Sequence, residues 1–231
     1  MRFAIIAAGE GSRLAEEGLT VPKPLVPIDG VPMIERLARV MMHCGADHIA
    51  VIVNSENRVT VEFIKNLSRE LPVDLVVKST PSPMHSLMEL APFLRGDRFC
   101  VTTVDTVFSE NRLHTMMAEF QDTPFDGLMG VTPFIDDEKP LYVAVDENMA
   151  INGFMDDEAG CRYVSAGVYA LGASALEVLK GCVESGRTRM RFFQRRLLES
   201  GLRLKAFDMG QVVDVDHVSD IDKATKIALE G

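Results

Sequence analysis

Phe3-Ala4-Ile5-Ile6-Ala7-Ala8-Gly9-Glu10-Gly11-Ser12-Arg13-Leu14 decides more of the architecture than any other stretch of the chain. An unbroken apolar run suits a strand buried on both faces, as in a parallel sheet, rather than a strand with one wet side. The run stops at a Gly-x-Gly turn. Glycine lets backbone approach a ligand closely and aim successive N–H groups at phosphate oxygens. Arg13 adds a planar cation suited to bidentate phosphate contacts. Leu14 stands where a dinucleotide fingerprint needs its third glycine, and no Gly-Lys-Ser/Thr follows for a P-loop. An ordinary tight turn after a strand has the same appearance, so the loop gains meaning only from what lies beyond it.

Working outward, Asp29-Gly30 marks a turn and Pro32 falls in the first turn of an expected helix. Ile34, Leu37, Ala38 and Met41 lie on one face of that helix, and Gly45 suits its C-terminal cap. The alternation then predicts strand 48–53, helix 59–71, strand 73–77, helix 85–94, strand 99–103, helix 111–120 and strand 126–131. Segments 142–145, 151–154 and 163–171 are strand-like with turn residues between them, which predicts an antiparallel insertion. Helices 174–184 and 191–199, strands 202–207 and 212–215, and a helix after Ser219 complete the pattern. The expected fold class is α/β: a three-layer α/β/α, Rossmann-like, mixed but mostly parallel sheet. No repeat or linker divides the chain, so residues 1–231 are expected to form a single domain.

Apolar residues make up 47% of the chain and charged residues 25%, in line with a soluble globular protein. No apolar stretch approaches the length needed to cross a bilayer, and Glu10 interrupts the short N-terminal run before a signal peptide could form. A cytoplasmic location and no membrane partner are therefore expected. The four cysteines show no metal or redox spacing and are expected to be free, three of them buried. A formal charge of −10 argues against a nucleic-acid partner, which needs a cationic face, but leaves small phosphate ligands open.

Three more segments carry chemistry. Val21-Pro22-Lys23-Pro24-Leu25-Val26-Pro27 holds Lys23 on a stretch with little conformational freedom, a good support for clamping a phosphate that gains charge during reaction. Asp105 follows a buried strand, where a carboxylate can take Mg²⁺ or simply cap a turn. In extended chain Asp214 and Asp216 would share a face and could grip the same ion, whereas Asp220 and Asp222 suit the start of the next helix. The methionines Met41, Met42, Met116 and Met117 are expected in the core.

The order strand, Gly-x-Gly-Ser-Arg, spacer, Pro-Lys-Pro-Leu-Val-Pro, amphipathic helix resembles the nucleoside-triphosphate transferase family, the nucleotide-sugar pyrophosphorylases. The resemblance implies that Ala8, Gly9, Gly11, Ser12 and Arg13 bind the triphosphate and that Lys23 contacts the α-phosphate. It implies metal ligation by Asp105 together with Asp214 or Asp216, since Asp214-Val215-Asp216-His217 resembles the family's closing Asp-Val-Asp-Thr. Val104 replaces the glycine that often precedes the first of these aspartates. Segment 80–87 falls where the family holds the base, which implies a nucleotide contact at Ser86; the segment resembles the branch acting on phosphocholine and related small phosphates, and His85 is also readable as the exposed first residue of a helix. Tyr163-Val164-Ser165-Ala166-Gly167-Val168-Tyr169 is similar to the family's acceptor-side strand, implying Ser165 and Gly167 near the acceptor. Arg187, Arg189 and Arg191 could meet an acceptor phosphate or simply form a solvated approach to a helix.

The resulting expectation is an enzyme that transfers a nucleoside monophosphate from a nucleoside triphosphate to a small phosphorylated acceptor. Mg²⁺ is the implied cofactor, and Arg13, Lys23 and Asp105 are the catalytic candidates. The acceptor is a sugar 1-phosphate or a phosphocholine-like or polyol phosphate. A non-catalytic nucleotide-binding module on the same fold is the alternative, and an NAD-dependent oxidoreductase is disfavoured by the incomplete glycine fingerprint. Base, acceptor and oligomeric state are not specified by the sequence.

Overall fold

The computed structural model describes residues 1–96, 98–135 and 139–229. In chain order its strands are β1 (Arg2–Ala7), β2 (Pro27–Ile28), β3 (Val31–Pro32), β4 (His48–Val53), β5 (Val73–Val77), β6 (Phe99–Thr103) and β7 (Thr106–Val107), then β8 (Gly127–Thr132), β9 (Tyr142–Val145), β10 (Ile151–Met155), β11 (Tyr163–Leu171), β12 (Leu204–Asp208) and β13 (Val213–Asp214). The helices are α1 (Ser12–Glu16), α2 (Met33–His43), α3 (Arg58–Leu67), α4 (Pro83–Leu94), α5 (Glu110–Asp122), α6 (Ser174–Glu184), α7 (Met190–Glu199) and α8 (Val218–Leu229). Lys23–Leu25 forms a single 3-10 turn.

β1 lies between β4 and β6, parallel to both, and β5 extends the sheet beyond β4. The chain therefore builds outward from β1 on one side and then returns to its other side. Such a reversal opens a crevice beyond the carboxyl ends of the two strands that diverge, here β1 and β6. The apolar run of β1 serves both faces in turn. Phe3, Ile5 and Ala7 enter a core with α2, α3, α5 and α8, whereas Ala4, Ile6 and Ala8 enter a second core with α4, α6 and α7. A strand with a helical layer on each side has no wet face, which is why no polar residue interrupts it.

The antiparallel strands extend this same sheet. β11 pairs with β6 through its C-terminal half and with β9 through its N-terminal half, while β8 runs along its other edge. A register shift between Ser165 and Tyr169 marks an irregularity, and Gly167 within it has φ +72°. That backbone region suits glycine. Gly130 on β8 is required by space rather than by dihedral. A Cβ there would fall 3.0 Å from Val168 Cβ and 3.1 Å from the Val168 carbonyl oxygen.

Local signals explain most element ends. Asp29 and Gly30 both take positive φ, 50° and 76°, in the turn that joins β2 to β3. This matches the Asp-Gly preference of tight hairpins. Pro32 differs from expectation: it is the non-helical cap before α2, with ψ 135°, rather than a member of its first turn. Ser82 caps α4 by accepting from the His85 amide, with Pro83 as the first helical residue. Met41, Met116 and Met117 are buried, and Met42 packs partly buried against them. All four cysteines are free, with Cys44, Cys100 and Cys182 buried. Among the described residues no helix is long and apolar enough to cross a membrane.

Gly130→Ala should destabilise the fold by about 1–3 kcal/mol, because the added methyl must push against a branched side chain and a carbonyl on β11. Urea denaturation of the two proteins measures the difference.

Candidate active site

β1 ends at Ala7, and the chain leaves the sheet through Ala8, which is buried, and Gly9 to Gly11, which curl into α1. Gly11 has φ +65°, and a Cβ on it would stand 2.7 Å from Lys23 Cβ. The loop and the Lys23 stem are thus packed together, and only glycine permits the approach. Gly9 differs: a Cβ there would meet nothing within 4 Å. Ser12 and Arg13 point outward from the start of α1.

Lys23 sits in its 3-10 turn between Pro22 and Pro24, and its side chain is only 10% exposed. Its ammonium lies 2.6 Å from Asp105 Oδ2 and 2.6 Å from Asp216 Oδ1. Arg13 Nη1 completes the network 2.8 Å from Asp216 Oδ2. Burial works against the Lys23 charge, but the Asp105 and Asp216 carboxylates outweigh it and raise its pKa above the ordinary value. The same contacts overcome the desolvation of Asp216 and hold its carboxyl below the usual range.

Two strands distant in sequence bring the carboxylates together. Asp105 occupies the turn between β6 and β7, and β13 pairs antiparallel with β7 so that Asp214 lies opposite Thr106. The Val215 amide then donates to the Asp105 carbonyl at 3.0 Å. β13 ends at Asp214, and the Asp216 amide donates back to the Asp214 carbonyl at 3.0 Å, so the chain turns between the two aspartates rather than continuing extended. Asp216 joins Gly11, Ser12, Arg13 and Lys23 around a cavity of about 290 Å³. Asp214 instead opens into a neighbouring cleft of about 580 Å³ with Thr102, Thr103, Ser165, Gly167 and Tyr169. Asp214 is an exposed residue, but its exposure is into the concave cleft rather than to open solvent. Loss of bulk water and the Asp105 charge push its pKa up to about 7, against a bond from the Thr106 hydroxyl.

The remaining sequence candidates divide. Ser165 and Gly167 line the Asp214 cleft, and Gly167 has no room for a side chain without strain, since a Cβ would come 3.3 Å from Thr106 Oγ1. Ser86 is buried, and its hydroxyl lies 2.6 Å from that of Thr80, so it braces the loop before α4. His85 is partly buried, with Nδ1 2.8 Å from Ser82 Oγ. Arg191 bonds to Asp156 at 2.7 Å and to the Lys139 carbonyl at 2.9 Å, while Arg187 stacks over the Phe192 ring. Arg189 and Arg191 both border the cleft. A further hollow of about 790 Å³ between α6 and α7 contains none of the glycine-loop or carboxylate residues.

Two groups had escaped the sequence reading. Glu17 ties α1 to the approach of α8: its carboxylate lies 2.5 Å from His217 Nδ1 and accepts from the Val218 amide at 2.7 Å. It acts with Asp220, which lies in the first turn of α8 as the sequence led one to expect and accepts from the His217 amide at 2.9 Å. These bonds fix the segment carrying Asp216. The second group is Gln194, a polar residue on the stripe of α7 that buries Phe193 and Leu197. A glutamine one turn before Leu197 is the signal that could have flagged it.

The Glu17–His217 contact has a definite pH signature. Contact with Glu17 raises the His217 pKa above its ordinary 6.5, and the Val218 amide and His217 lower that of Glu17 below 4.5. Stability from the histidine is complete below 6.5 and is lost as pH rises through its folded pKa; stability from Glu17 is complete above 4.5. The melting-temperature deficit of His217→Ala should therefore be greatest near pH 5.5, roughly midway in that window, and shrink toward pH 8. Thermal melts across that range test it, and a pH-independent deficit would show that the ion pair contributes nothing.

Known proteins resemble this chain in sequence and in fold. Residues 3–198 match the MobA-like NTP transferase domain. Mannose-1-phosphate guanylyltransferase 1 of Arabidopsis thaliana is 25% identical over 190 residues, covering 78% of this chain and 52% of that protein. The 2-aminoethylphosphonate cytidylyltransferase of Lancefieldella rimae is 43% identical over 49 residues, 21% of this chain and 20% of that one. The inositol-1-phosphate CTP transferase from T. maritima shares the fold with a TM-score of 0.82 at 20% identity, covering 98% of this chain and 95% of that one. The chain spans about half the length of the curated relatives it matches over most of its own sequence. With a glycine loop, a clamped lysine and paired aspartates at the crevice of its sheet, and a match across most of its length, the chain belongs to the MobA-like NTP transferase family.

Proposed function

We propose that this protein transfers a nucleoside monophosphate from a nucleoside triphosphate to the phosphate of a small acceptor, releasing pyrophosphate, and that it works in the cytoplasm. The observation that carries the reading is that Lys23 joins Asp105 to Asp216, with Lys23 and Asp216 lining one cavity and Asp214 lining another. The one beside the glycine loop suits a triphosphate, and the one at β11 suits the acceptor. Proteins named for action on mannose 1-phosphate and on 2-aminoethylphosphonate are similar to this chain, which supports an acceptor with a phosphate or phosphonate group and a variable other end.

The chemistry needs no covalent nucleophile. An acceptor phosphate oxygen attacks the α-phosphorus in line, the new P–O bond forms, and the bond to the bridging oxygen breaks as pyrophosphate leaves. Arg13 and the loop amides hold the departing pyrophosphate. Lys23 transfers its ammonium from Asp216 to the α-phosphate as charge accumulates there, which favours the transition state over the ground state. Gly9 leaves the loop backbone open to the phosphates.

A divalent cation fits the donors available. Asp105 and Asp214 offer hard oxygen ligands, and a cation relieves both causes that raise the Asp214 pKa, first its desolvation and then the Asp105 charge. Among the described residues no set of three His, Cys, Asp or Glu side chains gathers as a metal cage. That suits Mg²⁺, which takes one or two carboxylates and completes its shell with substrate phosphates and water. Asp216 is held by Arg13 and lines the glycine-loop cavity, so Asp105 and Asp214 are the ligands in this reading. Bound there, Mg²⁺ would neutralise phosphate charge and align donor and acceptor.

Mg²⁺-dependent pyrophosphate release should appear with one pairing from a matrix of CTP, UTP, GTP, ATP and dTTP against sugar phosphates, phosphocholine and inositol phosphate. Asp105→Ala should abolish it, and Lys23→Ala should lower kcat by roughly 100-fold or more while altering nucleotide Kd much less. Unchanged turnover in the lysine variant would remove Lys23 from the reaction. The Asp214 shift adds a second expectation. Its folded pKa is raised, so its contribution to stability is lost as pH rises through about 7. Added Mg²⁺ should restore it, giving a larger rise in melting temperature near pH 8 than near pH 6, with the difference absent in Asp214→Asn.

A further inference from the structure

Gln194 reaches the floor of the Asp214 cleft from α7 and is only 3% exposed. Its side-chain nitrogen donates to the Tyr169 phenol oxygen at 3.0 Å, which fixes the amide plane. The amide oxygen has no partner. Beside it, the Ser165 hydroxyl is also buried and unpartnered, lying close to the Tyr169 phenol without meeting hydrogen-bond geometry. Burial raises the Tyr169 pKa to about 12, so the phenol remains neutral and the wall of the cleft carries no charge at this point. Native proteins rarely leave a buried carbonyl oxygen unpaired, because desolvating it without compensation is costly. Gln194 lines a cleft large enough for a small molecule.

We infer that Gln194 is a specificity-determining residue, whose amide oxygen accepts a hydrogen bond from a hydroxyl on the non-phosphate end of the acceptor. Resting on the transferase reading, this deepens it by naming the acceptor class: a hydroxylated phosphate of the sugar or polyol kind. A trimethylammonium headgroup has no N–H or O–H to donate and would leave the carbonyl oxygen unsatisfied. The surroundings agree. Cation–π recognition of such a headgroup calls for exposed aromatic faces, and Tyr169 presents a buried phenol held by Gln194. Ser165, which can donate as well as accept, offers a second contact to the same hydroxyl or its neighbour.

A site built to bond a substrate hydroxyl discriminates strongly against an analogue lacking it, since the protein group is then stranded. The experiment compares mannose 1-phosphate, myo-inositol 1-phosphate and phosphocholine as ligands by calorimetric titration in the presence of Mg²⁺. Monodeoxy analogues of the best ligand follow, with wild type, Gln194→Leu and Gln194→Glu. A hydroxylated phosphate is expected to bind at least roughly tenfold more tightly than phosphocholine, with one monodeoxy analogue weakened about ten- to a hundredfold. Gln194→Leu should bind the parent as weakly as wild type binds that analogue and no longer separate the two, with nucleotide Kd unchanged. Gln194→Glu presents only acceptor oxygens and should retain the parent-to-deoxy ratio even where absolute affinity falls. Where turnover is measurable, the loss in Gln194→Leu should fall on acceptor KM rather than on kcat.

Tight phosphocholine binding would overturn the inference, as would undiminished discrimination in a Gln194→Leu protein with wild-type circular dichroism. So would loss of the ratio in a folded Gln194→Glu, which would show that a donor faces the cleft. If wild type binds a hydroxylated phosphate through Gln194 yet releases no pyrophosphate with any triphosphate, the transferase reading fails and this one stands. If pyrophosphate is released but none of the hydroxylated phosphates binds, this one falls alone.

Discussion

A single ammonium group balances the centre of the molecule. The pairing of β13 with β7 places Asp214 and Asp216 beside Asp105, and three carboxylates in one crevice repel one another. Lys23 bridges two of them at 2.6 Å each, and Arg13 braces the second. The third, Asp214, receives less of this compensation and has its pKa pushed up to about 7. Much of the surrounding structure keeps Lys23 in place. Prolines on both sides limit its backbone, the 3-10 turn aims it inward, and Gly11 clears room for its stem. Anchoring of the carboxylate segment comes from Glu17 and Asp220, which hold the backbone at His217 and Val218.

This balance also divides the crevice. Because the chain turns after Asp214, its carboxylate and that of Asp216 face different cavities, although only one residue separates them. The Asp216 side is cationic, with Arg13 and Lys23, and suits the most highly charged part of a nucleotide. The Asp214 side brings the neutral groups Ser165, Tyr169 and Gln194 together with Arg189 and Arg191 at its border, so charge and hydrogen bonding are both available there. Both sides meet where β1 and β6 diverge, so the reversal of strand order positions the chemistry and the side chains divide the labour.

The central layer of the fold was legible because β1, β4 and β6 are buried on both faces and carry continuous apolar runs, while α2 and α3 carry clean amphipathic stripes. The glycine loop, Lys23 and the aspartates were legible as types, since turn glycines, prolines and strand-end carboxylates have local signatures. Their mutual arrangement was not, because it depends on β13 crossing the chain to meet β7, a contact with no short-range signal. The extended reading of Asp214 and Asp216 failed for a related reason: the bond from Val215 to the Asp105 carbonyl and the turn at Asp216 are tertiary outcomes. Gln194 was hidden because helical periodicity tolerates one polar residue on an apolar face. Only the packed structure reveals that this one is buried and half-bonded.

Two glycines in one loop illustrate how such cases separate internal demands from external ones. Gly11 is explained entirely by the protein: positive φ and the Lys23 stem exclude a side chain. Gly9 is explained by nothing in the protein, since its φ is ordinary and a Cβ would stand in open space. A glycine costs conformational entropy on folding, and the open space beside Gly9 leaves the loop backbone accessible to what approaches from outside. The same reasoning applies to Asp214, whose carboxyl is held far from its ordinary pKa, and to Gln194, whose amide oxygen is buried without a partner. Each departs from a local rule, and the latter two do so within one cleft. Fold stability alone would favour a hydrogen-bonded glutamine and a carboxylate farther from Asp105, so the features that weaken the apo protein are those a bound ligand would complete.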